Sequence, residues 1–483
     1  MRIKVVLHYL GVLIAIIGLA MLIPLVWSLF SGGSDTPAFA ISMAISAGTG
    51  LLLWRLMPVG EKRMGRREAI LMVAGSWVAA SFFSALPYII SGALPSFLDA
   101  YFEAMSGYTA TGSTVLTSIE TQSQGILLWR AMTQWLGGMG IIMLFVALFP
   151  LLGIGAAYLV EAETPAQKGE RLTARIQDTA KALWLIYLGL TALEFIALLI
   201  ARLSIFDALT VTLTTIPTGG FTATDLSIGA YNSVWVEGIV IFFMIASGIN
   251  FGLYYYLIWK RQPIRLFKNS EFKLYIGLLA VAVLVIFWSL TTSGGMSSGQ
   301  AFREGVFQTT SIMTTTGFVT ADFNTWPDFA RAVLLILMVI GACAGSTGGA
   351  LKVVRILVLA KYTYRRVISA FNPRAVMPLK TGGNILPEGV ISRIISLAIV
   401  YIAIIVIASL IMGSLGLDNT TALSSVITCL GGVGPGLGVV GPAANFAVVP
   451  PLGKGVLTFC MLAGRLEIFT LLMLFTPAFW RWR

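Results

Sequence analysis

The stretch Phe307–Phe318, FQTTSIMTTTGF, decides how the rest of the chain is read. It holds no His, Cys or carboxylate, so its side chains have nothing with which to do acid–base or metal-ligand chemistry. What it offers is backbone. Three consecutive threonines, Thr314 to Thr316, end in Gly317, a residue that tolerates conformations others resist. Set between apolar segments, such a run can turn successive carbonyl oxygens toward one axis, as a potassium filter does when it replaces the hydration shell of an ion. Thr and Gly are common in loops, so the reading rests on repetition.

The run recurs. Apolar spans bracket LDAYFEAMSGYTATGS (98–113), FDALTVTLTTIPTGGF (206–221) and LDNTTALSSVITCLGGVGPGLG (417–438) as they bracket the opening stretch. The units cover about 70–152, 182–259, 274–360 and 391–479, each a long span, a half-apolar segment ending in Gly, and a second span. Gly112, Gly219, Gly317 and Gly434 then recur at roughly hundred-residue intervals, a period that means tandem duplicated domains rather than small repeats. The candidate ion ligands are the carbonyls of Ala110, Thr111 and Gly112; Thr218 and Gly219; Thr315, Thr316 and Gly317; and Val433 and Gly434.

Asp99, Asp207, Glu304 and Asp418 stand roughly three to four helical turns upstream of those glycines. A carboxylate is favoured at a helix N-terminus, which predicts capped helices too short to cross a bilayer. Each is read as a re-entrant helix that stops near mid-membrane and returns as extended chain. Irregular backbone survives at that depth only inside protein or around water.

Composition agrees. Of 483 residues, 57% are hydrophobic and 11% charged, the balance of a polytopic membrane protein. Two spans, Ile3–Phe30 and Ala38–Met57, precede the repeats. The first is too long for a cleaved signal peptide and is read as retained. The formal charge of +11 is spread over short loops: Arg55, Lys62, Arg63, Arg66 and Arg67; Lys168, Arg171, Arg175 and Lys181; Lys260, Arg261, Arg265 and Lys268; Lys361, Arg365, Arg366, Arg374 and Lys380; Arg481 and Arg483. That pattern reports orientation, not nucleic-acid binding, and places both termini in the cytoplasm. The pore helices then start outside and aim their negative ends inward, which favours a cation. Cys343, Cys429 and Cys460 lie far apart in apolar contexts and read as reduced packing residues, and His8 as an interfacial one.

Three further features carry chemistry. Gly341–Gly349, GACAGSTGG, interrupts the second span of unit three and will not hold a straight helix. It reads as an unwound loop crossing beneath the filter, a gate built on Gly341, Gly345, Ser346, Thr347, Gly348 and Gly349, with Lys352 and Arg355 near the inner mouth. Arg465 stands halfway along the final span, where a charge must be paired; carbonyls of the pore helices or the loop are the expected partners, with Glu467 a neighbour. Asn250 is a polar residue inside the second span of unit two. For Gly137, Gly138 and Gly140, close helix packing is the first reading.

The pieces YTATGS, PTGGF, TTTGF, VGPGLG, QWLGGMG, CAGSTGGALKVVR and GRLEIFTLLMLFTP together resemble the TrkH/KtrB superfamily of potassium-translocating subunits over essentially the whole chain. The extra helix pair is similar to the TrkH branch rather than the shorter KtrB branch. The resemblance implies an all-α fold of four span–pore helix–span repeats around a pseudo-fourfold pore: 68–165, 166–268, 269–375 and 376–483, after a two-helix domain at 1–67. It implies a homodimer in the bacterial inner membrane, a cytosolic TrkA-like ring whose nucleotides regulate the pore, K+ as transported ion and no organic cofactor. It carries the four glycines, the gate loop and the Arg465 position over residue by residue. Glycine rather than Ser at 112 favours potassium over sodium within that group. Pro217 and Asn372 depart from its pattern. The expected function is selective, gated K+ and Rb+ uptake. The rivals are an H+- or Na+-coupled symporter, for which Glu194 and Glu467 are the few intramembrane carboxylates, and a lipid-processing membrane enzyme.

Overall fold

The first apolar stretch folds as two consecutive helices, Ile3–Ala20 and Leu22–Ser31, joined at the buried Met21 and together long enough for one span. It packs along Thr36–Leu56 through small residues: a Cβ on Gly11 would lie 2.8 Å from the Gly50 carbonyl oxygen, so the two backbones touch. The computed structural model describes residues 2–58, 65–138, 140, 176–372, 377–382, 384–466 and 468–481. Lys62, Arg63, Lys168, Arg171, Arg175, Arg374, Glu467 and Arg483 lie outside them, as does the end of the second span of unit one.

Each repeat then follows one plan. The outer spans are Arg67–Ile90, Ala180–Ile200, Ser270–Thr292 and Glu388–Ser414. Among the described residues six helices are long and apolar enough to cross a membrane, and up to eight if each of two bent pairs is one span. Between the spans sit four short helices, Phe97–Tyr108, Ile205–Thr215, Ser298–Met313 and Asn419–Gly431, of 12, 11, 16 and 13 residues. They carry many hydroxyl side chains, yet Ser106, Thr214, Thr310 and Ser425 are fully buried. Several hydroxyls are satisfied by bonding back to the carbonyl four residues earlier, as Thr109 does to Met105 at 2.7 Å and Thr314 to Thr310 at 2.8 Å.

The caps differ from expectation. Ser96, Ser204 and Ser297 cap the first three pore helices by accepting from the N–H three residues on, and only in the fourth is the cap a carboxylate, Asp418. Asp99 and Asp207 stand in the first turn, where the helix dipole still favours them. Glu304 sits a turn further in and accepts from Gln300 at 2.8 Å instead. Nor are all inner spans continuous. That of repeat two breaks into Val234–Ser247 and Phe251–Ile258 at 95°, with Asn250 capping the second half by accepting from Gly252 N–H at 2.7 Å. The final span breaks after Arg465 and resumes at Ile468–Leu474. One minimal antiparallel ribbon, Lys380–Thr381 with Asn384–Ile385, is the only β-structure among the described residues.

The repeats are tied to one another around a ring. Ile119 N–H donates to Asp225 at 2.6 Å between one and two; Gly229 N–H to the Val319 carbonyl at 3.1 Å between two and three. Asn324 grips Gly438 at both its N–H and its carbonyl between three and four, and Phe446 N–H donates to the Thr114 carbonyl at 2.8 Å between four and one. Buried or half-buried ion pairs reinforce two of these seams: Glu237 with Arg303, and Lys454 with Asp99.

Candidate ion-conducting site

All four pore helices end in one way. The N–H groups of Thr111, Gly219, Thr316 and Val433 reach back five residues, to the carbonyls of Ser106, Thr214, Ser311 and Thr428. The residue before each is left-handed: Ala110 at φ 52°, Thr218 at 55°, Thr315 at 60° and Gly432 at 67°. That is the Schellman termination, which satisfies carbonyls a helix end would otherwise orphan. The residue after each is left-handed too: Gly112 at 83°, Gly220 at 80°, Gly317 at 81° and Gly434 at 105°. The equivalent of Gly112, Gly317 and Gly434 in repeat two is therefore Gly220, one residue beyond the Gly219 expected from sequence. Pro217 lies where the other helices have their last helical N–H, so the second pore helix ends early.

These loops meet one another in cyclic order. A Cβ on Gly112 would fall on the carbonyl oxygen of Gly219; one on Gly220, on that of Thr316; one on Gly317, on that of Val433. One on Gly434 would stand 3.1 Å from that of Thr111, which closes the circle. Twelve backbone units, three per loop, thus gather around a shared centre at the negative ends of four helices.

Side chains behind the loops hold this arrangement. Glu103 and Arg130 form a fully buried pair at 2.8 Å. Glu103 also accepts from Thr114 Oγ1 at 2.9 Å and Val115 N–H at 2.9 Å, while Arg130 donates to the Thr222 carbonyl at 3.0 Å and lies 4.2 Å from the Phe221 ring centre. Removing one partner of such a pair costs about 3–5 kcal/mol, because the other is left buried and charged. Ser113 Oγ donates to the Gly434 carbonyl at 2.9 Å, linking loop one to loop four.

Gly341 to Lys352 is non-helical between Asp328–Ile340 and Val353–Phe371. Its middle lies against the ends of three pore helices. Thr347 Oγ1 donates to the Ile216 carbonyl at 3.1 Å and the Ser247 carbonyl at 3.2 Å, and Gly349 N–H to Thr315 Oγ1 at 2.9 Å. A Cβ on Gly349 would fall on the Gly431 carbonyl. Glu271 accepts from Ala344 N–H at 2.6 Å, and Phe251 N–H donates to the Gly345 carbonyl at 2.9 Å across the break in the repeat-two span. Arg465 donates to the Thr347 carbonyl at 2.8 Å and to those of Gly137 and Gly138 at 2.9 and 2.6 Å. It thus ties the interrupting loop to the inner helix of repeat one, with a carbonyl of the loop and two of the inner helix among its partners.

The family model described as TrkH, cation transport protein, matches residues 36–481. The Trk system potassium uptake protein TrkH of Halomonas elongata is 37% identical over 483 residues, covering all of both chains. That of Escherichia coli K12 is 38% identical over 492, again covering all of both. The crystal structure of the potassium transporter TrkH from Vibrio parahaemolyticus superposes with a TM-score of 0.90 at 36% identity over the full length of both chains. The chain belongs to the TrkH family.

In this TrkH-family chain the residues singled out from sequence in all four loops do converge, apart from the shift at Gly219, and the GACAGSTGG segment does lie against their helix ends. The family is one of cation transporters, not enzymes, which removes the lipid-processing reading. Its repeated apolar helices make the chain a multi-pass membrane protein. Sequence reading passed over Glu103, Arg130 and Gln134. The signal for the last two was present: two strongly polar side chains four residues apart, hence on one helix face, in LLWRAMTQWLGG, where only Thr133 is otherwise polar.

Proposed function

We propose that the chain mediates potassium uptake across the bacterial inner membrane through a gated, channel-like pore, accepting K+ and Rb+ and disfavouring Na+. The observation that carries this is the cyclic closure of four Schellman-ended loops, each placing its left-handed glycine against a carbonyl of the next. Carbonyls at such a centre can take the place of water around a bare cation. The ligands on this reading are the carbonyls of Ala110, Thr111 and Gly112; Thr218, Gly219 and Gly220; Thr315, Thr316 and Gly317; and Gly432, Val433 and Gly434. The four repeats occupy 68–165, 166–268, 269–375 and 376–483 behind the two-helix domain 1–67. Loop 341–349 is the gate, with Arg465 and Lys352 beside the conduction path. Termini and basic loops face the cytoplasm, where a TrkA-like nucleotide-binding ring docks on a homodimer; the relatives' naming as parts of a Trk system supports partner subunits.

The test is Gly112→Ser and Gly317→Ser in liposomes with K+ and Na+ flux measured. An added side chain at either position meets a neighbouring loop's carbonyl, so the K+-to-Na+ ratio should fall by about tenfold or more, the size of a 1.4 kcal/mol change in relative binding. Unchanged ratios in both variants exclude this ring as the filter.

One observation favours a second reading, coupled symport. Glu194 is fully buried within the outer span of repeat two, near Thr215 at the end of the second pore helix. An ionisable group there is a candidate proton site.

A further inference from the structure

Helix Gln124–Gly138 carries Arg130 and Gln134 one turn apart, both buried. Arg130 is taken up by Glu103. Gln134 has both its bonds in loop two: its Nε2 donates to the Gly219 carbonyl at 2.7 Å, and its Oε1 accepts from Phe221 N–H at 3.1 Å. A carboxamide offers a donor and an acceptor from one planar head, so it can clamp the two residues flanking Gly220 at once. The fit leaves no room: a Cβ on Gly219 would run into the carboxamide. Gly219 is not left-handed, whereas Gly220 is, so the two adjacent glycines answer different demands. Gly220 serves the backbone and Gly219 serves Gln134.

Loops three and four are held from their own pore helices. Ser311 Oγ donates to the Phe318 carbonyl at 2.7 Å and Thr428 Oγ1 to the Pro435 carbonyl at 3.1 Å, at equivalent positions. The corresponding residue of repeat two is Thr214, whose hydroxyl bonds back to Thr210 and Val211 instead. Loop two therefore relies on a side chain lent by repeat one.

We propose that Gln134 is a specificity-determining positioning residue of the pore: from behind the ring it fixes the Gly219 carbonyl and so sets one quarter of the cation cage at that level. The inference rests on the carbonyl-ring reading above. A carbonyl held by an amide N–H keeps one distance from the centre; released, it can move inward and close the cage around a smaller ion. The same hydrogen bond draws on the oxygen's lone pair, so its loss also raises the field the ion meets. Cage size and ligand field are the two quantities that decide K+ against Na+, and both move toward Na+ when the donor is removed.

The experiment is the reversal potential of the full-length protein in liposomes with K+ inside and K+/Na+ mixtures outside, for Gln134→Leu, Gln134→Met and Gly112→Ser. Gln134→Leu should lower the K+-to-Na+ permeability ratio by roughly five- to tenfold, the equivalent of about one net hydrogen bond. Gln134→Met, nearly isosteric but with no N–H to donate to the Gly219 carbonyl, should lower it as well. A wild-type ratio in folded Gln134→Leu, with the ratio altered in Gly112→Ser, overturns the role of Gln134 and leaves the ring standing. A wild-type ratio in both overturns the ring and this inference with it. Should the leucine variant not assemble, the nearly isosteric methionine decides by the same ratio: a fall supports the role, a wild-type value overturns it.

Discussion

Thr218 and Thr315 hold β-branched side chains at φ 55° and 60°, a region such residues occupy at a cost of order 1–3 kcal/mol each. The strain is sustained because the five-residue reach of the next N–H, the neighbouring loop and the helix end all demand the same conformation. Where repeat four has Gly432 the demand is met without it. The glycines that follow sort by the same logic. Gly220→Ala meets both a left-handed backbone and the Thr316 carbonyl, which belongs to another loop and cannot give way. Gly219→Ala meets only the far end of the Gln134 side chain. Thermal unfolding in detergent should therefore place Gly220→Ala below Gly219→Ala by about 1–2 kcal/mol of stability; equal losses would mean the register assigned to loop two is off by one. That register was not legible in PTGGF. Two adjacent glycines look alike in a sequence, and only φ and the side chain behind them tell them apart. The threonine–glycine recurrence itself was legible, because it depends on residue type and spacing alone.

At the scale of elements, the pore helices could be read from length and position, but their caps were misread. An acid in the first turn draws attention, while Ser96, Ser204 and Ser297, three or more residues earlier, look like ordinary loop serines until the N–H they accept from is seen. The break in the repeat-two span was hidden for another reason: SGIN lies within unbroken hydrophobicity, and Asn250 as a cap needs a second helix start that composition does not mark. The break matters because the interrupting loop of repeat three leans on it through Ser247, Gly248 and Phe251. Thr347 is the hub of that contact. If loop 341–349 closes the path, its hydrogen bonds exist in the shut state and are lost on opening. Thr347→Val then removes about 1–2 kcal/mol from the shut state, and Rb+ uptake without any regulatory partner should rise by roughly five- to thirtyfold. Deleting Gly345–Gly349 should raise it further. A folded deletion that conducts no more than the parent protein removes the loop from the gating account.

For the whole molecule, the question left between the two readings is whether ion movement needs a second ion. The N-terminal pair is fastened to the pore rather than merely beside it: the buried Asp35, in the turn between its helices, accepts from Ser123 and from Ile126 N–H at the start of the helix that carries Arg130 and Gln134. Loops one and two are thereby braced from a region outside the repeats, which suits a static filter better than a site that must alternate its access. Glu194 is the described buried carboxylate that a coupled mechanism would recruit, and it lies behind the second pore helix, not on the loops that meet. The two mechanisms separate by voltage. A pore passing K+ alone reverses at the potassium Nernst potential whatever the pH. A one-to-one proton symporter reverses midway between the potassium and proton potentials, so it moves by about half of the 59 mV that a tenfold gradient is worth for one charge. Liposomes with fixed K+ and Na+ gradients and a one-unit pH step should show a shift near zero, with Glu194→Gln indistinguishable from the parent protein in this respect. A shift of about 30 mV per pH unit that disappears in Glu194→Gln would instead make Glu194 the coupling group, because only a carboxylate that loads and unloads a proton in each cycle can tie the reversal potential to pH.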